Sequence, residues 1–273
     1  MLKLSIITIN FNDAIGLQKT IESVVSQDFD NFEYIVIDGG SSDNSKSVIE
    51  KYQCKITYWV SEKDNGIYNA MNKGILKARG EYCLFLNSGD WLFNSEVLKN
   101  VFKLESLADL IACDMVFDSG SKSIKINHQP DNIGFLYMMR TSLWHPATFI
   151  KRILFEKHGL YNEQYQIASD YDFFLKNTML ERVSYKHISV ALSVFNVRGI
   201  SSSEKNQELI KQERTSIQKK YFNTLFIDAA NEHNNLIETQ DFKLFQSLQK
   251  KLIFTFYKKL YNVKQFIINN FLI

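Results

Sequence analysis

Asp90 closes a stretch suited to chemistry on a phosphate: Gly80 to Leu92, GEYCLFLNSGDWL. Tyr82 to Leu86 is a short apolar run of β-formers and predicts a buried strand. The run stops at Asn87-Ser88-Gly89-Asp90, which are small, turn-prone residues ending in a carboxylate. Open α/β sheets bind ligands at the carboxyl ends of their strands. A carboxylate there can hold a divalent ion, and such an ion neutralises a diphosphate. Asp90 suits a helix or turn cap equally well. Asp38 and Asp64 pose the same choice, because Asp38-Gly39 and Asp64-Asn65-Gly66 are also turn chemistry. Asp170 and Asp172 lie in Ser169–Lys176, SDYDFFLK, where acids in a first helical turn favour the dipole. Either could instead serve as a base.

The elements that must position these residues alternate. Leu4–Ile9 reads as a central strand, Ala14–Ser26 as a helix and Phe32–Ile37 as a second strand. A helix over Asn44–Tyr52, a strand at Ile56–Val60 and a helix at Ile67–Arg79 closed by Gly80 follow. Strands and helices at this spacing build βαβ units and a parallel sheet. Four polar strand ends then converge on one edge: Thr8–Asn12, Asp38–Asp43, Glu62–Gly66 and Asn87–Asp90. Together they read as a nucleotide cleft. The second half is less regular. Strands are expected at Leu110–Phe117, Ser123–Asn127 and Tyr185–Val194, and the chain is helical from about Glu204.

Composition excludes several classes. The chain has 273 residues, 45% apolar, and a net charge of +2, so it supports a large core and no polyanion or nucleic-acid binding. Three scattered cysteines make neither a disulfide framework nor a zinc spacing, and fit a reducing cytoplasm. The N-terminus shows no cleavable signal pattern, and no run is long and apolar enough to span a membrane. The position after the first strand reads TINFN, without the glycines of a dinucleotide or P-loop site. It also lacks the basic glycine-rich loop of a nucleotidyltransferase. A metal at Asp90 is then the simpler compensation for phosphate charge.

Five segments, in this order, resemble family 2 glycosyltransferases of the GT-A fold: SIITINFN (Ser5–Asn12), YIVIDGGSSDNS (Tyr34–Ser45), Ser61–Asp90, HPATFI (His145–Ile150) and ASDYDFFLK (Ala168–Lys176). The GIYNAMNKG and LNSGD variants resemble a branch from bacterial exopolysaccharide and O-antigen clusters. The resemblance implies an α/β fold with a mostly parallel sheet flanked by helices. Residues 1–203 would be the GT-A domain, with 1–100 the nucleotide-sugar half and 101–203 the acceptor half. Residues 204–273 would be a helical extension. Thr8 and its loop, with Asn10 and Asn12, would line the nucleobase pocket, and Asp38 would accept from a uracil ring. Asp64 would sit at the base or ribose. Asn87, Ser88 and Gly89 would contact the nucleotide sugar, and Asp90 would bind Mg²⁺ or Mn²⁺. Asp170 would be the general base.

Two departures from the family pattern stand out. Asn87 and Gly89 replace carboxylates of the metal motif, and Ser169 replaces the acid before the base. The QxxRW motif of processive synthases is absent, which favours single-sugar addition. His145 reads as a structural histidine or as a phosphate or acceptor contact. Arg198 and Ser201 read as a lid or as plain surface loop. Asn72 and Lys73 read as helix surface, and Cys83 as core. The expected activity is inverting transfer from a UDP-sugar to a glycan or lipid-linked glycan. The alternatives are a degenerate sugar-nucleotide scaffold and a nucleotidyltransferase. Residues 242–273 combine an apolar stripe with six lysines. They fit either an interfacial helix on the cytoplasmic face of an anionic membrane or a helix packed on protein.

Overall fold

The computed structural model describes residues 2–104, 108–118, 125–197, 199 and 203–238. Arg198, Ser201 and the basic segment 242–273 lie outside them.

The first half forms as its pattern dictates. β1 (Leu4–Asn10) is buried along its whole length, as a strand covered on both faces must be. β2 (Phe32–Asp38) and β4 (Tyr82–Phe85) flank it in parallel, and β3 (Tyr58–Ser61) pairs with β2. α1 (Ala14–Val25), α2 (Ser45–Tyr52) and α3 (Ile67–Lys77) make the crossovers. α1 starts where Asp13 accepts from the Gly16 amide at 2.9 Å, an N-cap contact that contributes about 1 kcal/mol. Its Leu17, Ile21 and Val24 join Leu4 and Ile6 in one core cluster. Ile7 points to the other face, against Gly74 of α3. Strand register aligns Asn10 with Asp38 and Asp38 with Ser61, so three polar residues stand abreast at the carboxyl edge.

Gly80 does not close α3. That helix ends at Ala78, whose backbone is extended. A Cβ on Gly80 would come within 2.5 Å of the Leu4 carbonyl carbon and the Ser5 nitrogen, so the glycine allows β1 and the turn into β4 to touch.

The second half is antiparallel where it joins the first. β8 (Thr148–Lys151) runs between β4 and β6 (Leu110–Asp118), antiparallel to both. β9 (Tyr185–Asn196) pairs in parallel with β6, and β5 (Trp91–Leu92) pairs with β9. The sheet order is β3-β2-β1-β4-β8-β6-β9-β5, with β7 (Ile126–Asn127) beside β6. The His145–Ile150 segment divides into a 3₁₀ turn at His145–Ala147 and then β8. β5, α4 (Val97–Phe102), α5 (Phe135–Arg140) and α6 (Ile153–His158) have no counterpart in the sequence reading. Six residues are too few to show a helical period. α7 (Ser169–Leu175) begins where expected.

The chain divides into two compact units, Met1–Tyr221 and Phe222–Ile273. α8 (Gln207–Tyr221) belongs to the first. Polar contacts anchor it there. Gln218 of α8 donates to the Met139 carbonyl at 3.1 Å and to the Tyr171 hydroxyl at 2.9 Å. In the second unit α9 (Thr224–Glu238) starts at Asn223, whose side chain accepts from Leu225 N at 3.0 Å.

Candidate active site

The aligned strand tips close on themselves. Asp38 is fully buried and accepts from Asn10 Nδ2 at 2.6 Å, Ser41 Oγ at 2.6 Å, Ser41 N at 3.0 Å and Ser61 Oγ at 2.6 Å. A carboxylate accepts about four hydrogen bonds, so this one is saturated. Burial pushes its pKa up, but the Ser41, Ser61 and Asn10 hydrogen bonds outweigh it and hold Asp38 below the usual carboxylate range. Asp38 therefore fastens the strand-end loops together. Thr8 is equally interior: it is fully buried, and its hydroxyl lies 3.0 Å from the Tyr34 hydroxyl. Both residues expected at the nucleobase, Thr8 and Asp38, are thus tied to neighbouring strands. Asn12 has left-handed backbone (φ 51°), and its Oδ1 accepts from Ser42 N at 2.8 Å.

The exposed group at this edge is Phe11, 65% accessible. A Cβ on Gly39 would collide with the Asp64 carboxylate and lie 3.3 Å from the Phe11 ring. Phe11, Gly39 and Asp64 therefore make one corner with an open aromatic face and a carboxylate. Asp64 Oδ1 also accepts from Gly66 N at 3.0 Å, which sets the turn into α3. The sequence offered a signal for Phe11, since an aromatic in the polar break after β1 has no core to enter.

The Asn87–Asp90 turn is held from two sides. Ser88 N donates to the Ile9 carbonyl at 3.0 Å, and Ser88 Oγ lies 2.6 Å from Asn10 Oδ1. From α1, buried Thr20 accepts from Gly89 N at 3.0 Å and donates to the Asp90 carbonyl at 2.6 Å. Gly89 has φ 92°, the left-handed region that favours glycine. Asp90 is only 3% exposed and accepts from Asn196 N of β9 at 3.0 Å. Desolvation pushes its pKa up to about 7, against the Asn196 hydrogen bond. The Asn87 Oδ1 atom is buried with no partner. One turn thus holds a carboxylate short of positive charge and an amide oxygen short of a donor. Both are hard oxygens of the kind Mg²⁺ or Mn²⁺ takes, so the residues fit a divalent cation. Among the described residues no group of three His, Cys, Asp or Glu could hold a metal. Other ligands would have to come from a bound diphosphate and water.

Asp170 sits opposite this turn. Its Oδ1 accepts from the Tyr68 hydroxyl at 3.0 Å and from Tyr171 N at 2.9 Å. Its Oδ2 lies 3.2 Å from His145 Nδ1, and His145 Nε2 lies 3.3 Å from Asn87 Nδ2. An Asn87 amide donating to Nε2 makes that nitrogen the acceptor and leaves the proton on Nδ1, facing Asp170. The Asp170 and His145 side chains are 19% and 17% exposed, within reach of a ligand. Burial raises the Asp170 pKa, but His145, Tyr68 and the Tyr171 amide bring it below the usual carboxylate range. Asp172 is a different case. It is buried against Lys220 Nζ at 3.3 Å and serves to anchor α8.

α8 also holds the approach to Asp170. Buried Glu213 accepts from the backbone amides of Gln166, Ile167 and Ala168 at 2.7, 3.0 and 2.9 Å. No sequence pattern marks Glu213, which lies 45 residues from Ala168. Asn72 is buried and bonds the Tyr161 backbone on both sides, while Lys73 pairs with Glu62 at 2.8 Å. Cys83 is core.

The model of glycosyl transferase family 2 matches residues 5–174. An uncharacterized glycosyltransferase of Mycobacterium tuberculosis is 32% identical over 204 residues, 72% of this chain and 76% of the relative. The PGL/p-HBAD biosynthesis glycosyltransferase of Mycobacterium bovis is 26% identical over 215 residues, 76% of this chain and 82% of the relative. Among solved structures, S. aureus TarS aligns with a TM-score of 0.62 at 22% identity, over 84% of this chain and 42% of TarS. A TarS fragment in complex with UDP-GlcNAc aligns with a TM-score of 0.64 at 21% identity, over 84% of this chain and 70% of the fragment. The fold is therefore GT-A, and the chain belongs to glycosyl transferase family 2.

Proposed function

We propose that this enzyme transfers one sugar, with inversion, from a UDP-sugar to a hydroxyl of a glycan or lipid-linked glycan. The observation that carries the reading is Asp170, an ionised carboxylate joined through His145 to the turn that holds Asp90. Phe11 would stack on the nucleobase, with Asp64 beside it. Asp90 and Asn87 would hold Mg²⁺ or Mn²⁺, which when bound neutralises charge on the leaving diphosphate. Asp170 takes the acceptor hydroxyl proton as that oxygen attacks the anomeric carbon. The bond from that carbon to the diphosphate oxygen breaks, and its electron pair leaves with UDP. A single displacement inverts the centre. The UDP-GlcNAc complex of TarS supports this choice of donor.

The test is UDP release from a panel of nucleotide sugars, with Mg²⁺, with Mn²⁺ and with EDTA. Metal-dependent UDP release that disappears in Asp170→Asn supports the reading, and pyrophosphate release would replace it with nucleotidyl transfer. For the lysine-rich segment 242–273 we propose peripheral contact with an anionic membrane surface. Co-sedimentation with phosphatidylglycerol vesicles, lost on truncation after residue 241, tests it. Among the described residues no helix is long and apolar enough to cross a membrane.

A further inference from the structure

A cleft of about 370 Å³ opens between the start of α3, the 161–167 loop and the start of α8. Its polar groups come from Asn65, Asn69, Glu163 and Gln166. Its apolar walls come from Ile67, Tyr165 and Leu209. No lysine or arginine is among the described residues that line it. A diphosphate would find no counter-charge there, so the cleft does not suit the donor's phosphates. Amides, one carboxylate and an aromatic ring instead match a neutral sugar, whose hydroxyls need donors and acceptors and whose CH face needs an apolar wall.

The carboxylate is held in place for such a ligand. Glu163 Oε2 accepts from Asn69 Nδ2 at 2.9 Å, and Oε1 accepts from Asn72 Nδ2 at 2.8 Å. Asn69 is fixed in turn by accepting from Asn65 N at 3.2 Å. Two of about four acceptor positions on Glu163 are used, and the rest can receive sugar hydroxyls.

We propose that this cleft binds an uncharged sugar unit of the acceptor, because Asp170 stands between it and the donor turn. One oxygen of Asp170 is bonded to Tyr68, which lines the cleft, and the other faces His145, which reaches Asn87. A sugar in the cleft can present a hydroxyl past Tyr68 to the base while the anomeric carbon approaches from the Asn87–Asp90 side. The proposal rests on the transferase reading above.

Saturation-transfer NMR on the full chain, with UDP and Mg²⁺ present, tests it. The probes are p-nitrophenyl glycosides of glucose, galactose, mannose, rhamnose and N-acetylglucosamine at millimolar concentration. At least one glycoside is expected to bind the wild type. Glu163→Gln and Tyr165→Ala are each expected to weaken it about 5-fold or more. UDP affinity by calorimetry and acceptor-free UDP release should stay at wild-type levels in both variants. A wild type that binds UDP but none of the glycosides overturns the proposal, as does glycoside binding that neither variant weakens. A wild type that binds no UDP overturns the transferase reading itself.

Discussion

The donor edge and the base side of this enzyme are built by opposite means. At the donor edge, Asn10, Asp38 and Ser61 are neighbours by strand register, and their hydrogen bonds are the direct product of three parallel strands. At the base side, Asp170 is held by Tyr68, His145 and the Glu213 clamp on residues 166–168, from three elements distant in the chain. The first arrangement follows from any correctly paired sheet. The second exists only when the whole first unit has closed. In the proposed reading, a scaffold of self-satisfied groups carries the nucleotide, while the base Asp170 depends on tertiary contacts.

The contrast is broken most strongly at Asp170. Asp170→Asn should lower the transfer rate about 10³-fold, the usual range for a general base, with UDP affinity unchanged. Single-turnover kinetics with calorimetry separates the two.

Asp90 tests the cation site in two directions at once. Asp90→Asn should lower metal-dependent turnover about 10²-fold. The same change should stabilise the metal-free protein at pH 8. An acid whose folded pKa is raised from 3.8 to about 7 adds stability fully only below about pH 4, and that contribution is lost as pH climbs through 7. The gain at pH 8 is at most about 4 kcal/mol. Urea unfolding at pH 5 and pH 8 with EDTA reads it, and a variant with the wild-type pH dependence would refute the assignment. Cation-dependent UDP binding should rise with pH through the same range, because the ligand form of Asp90 is the carboxylate.

Glu213→Gln sharpens the difference between the regions. It keeps the size of the clamp but weakens three charge-assisted hydrogen bonds, so turnover should fall about 10-fold and stability by about 1–3 kcal/mol. The donor KM should not move. An equal rise in donor KM would mean the two regions are not separately built. Phe11→Ala is the mirror case, with donor KM up about 5-fold to 10-fold, the cost of one stacking contact, and turnover nearly unchanged.

These two modes of construction explain what could be read from the sequence. β1 to β4, the convergent strand ends and the places of Asp90 and Asp170 were legible, because strands, crossovers and turns are local patterns. The hydrogen-bond partners of Asp38 were not. Its saturation comes from Ser61 on another strand, and register is invisible within one segment. Thr8 fell within the expected strand, which continues to Asn10, and its burial comes from the neighbouring strands. Thr20 and Glu213 sit in ordinary helical patterns and gain meaning only from what faces them. α4 to α6 are too short for periodicity to mark.

The Glu213 clamp also orders events during synthesis. Asp170 leaves the ribosome well before Glu213, at a time when the amides of Gln166, Ile167 and Ala168 have no carboxylate to meet. The register that aligns Asn10, Asp38 and Ser61 lies within the first 61 residues, but the backbone support of Asp170 waits for α8. A nascent or prematurely ended chain would therefore carry Asp170 beside three backbone amides that lack their acceptor.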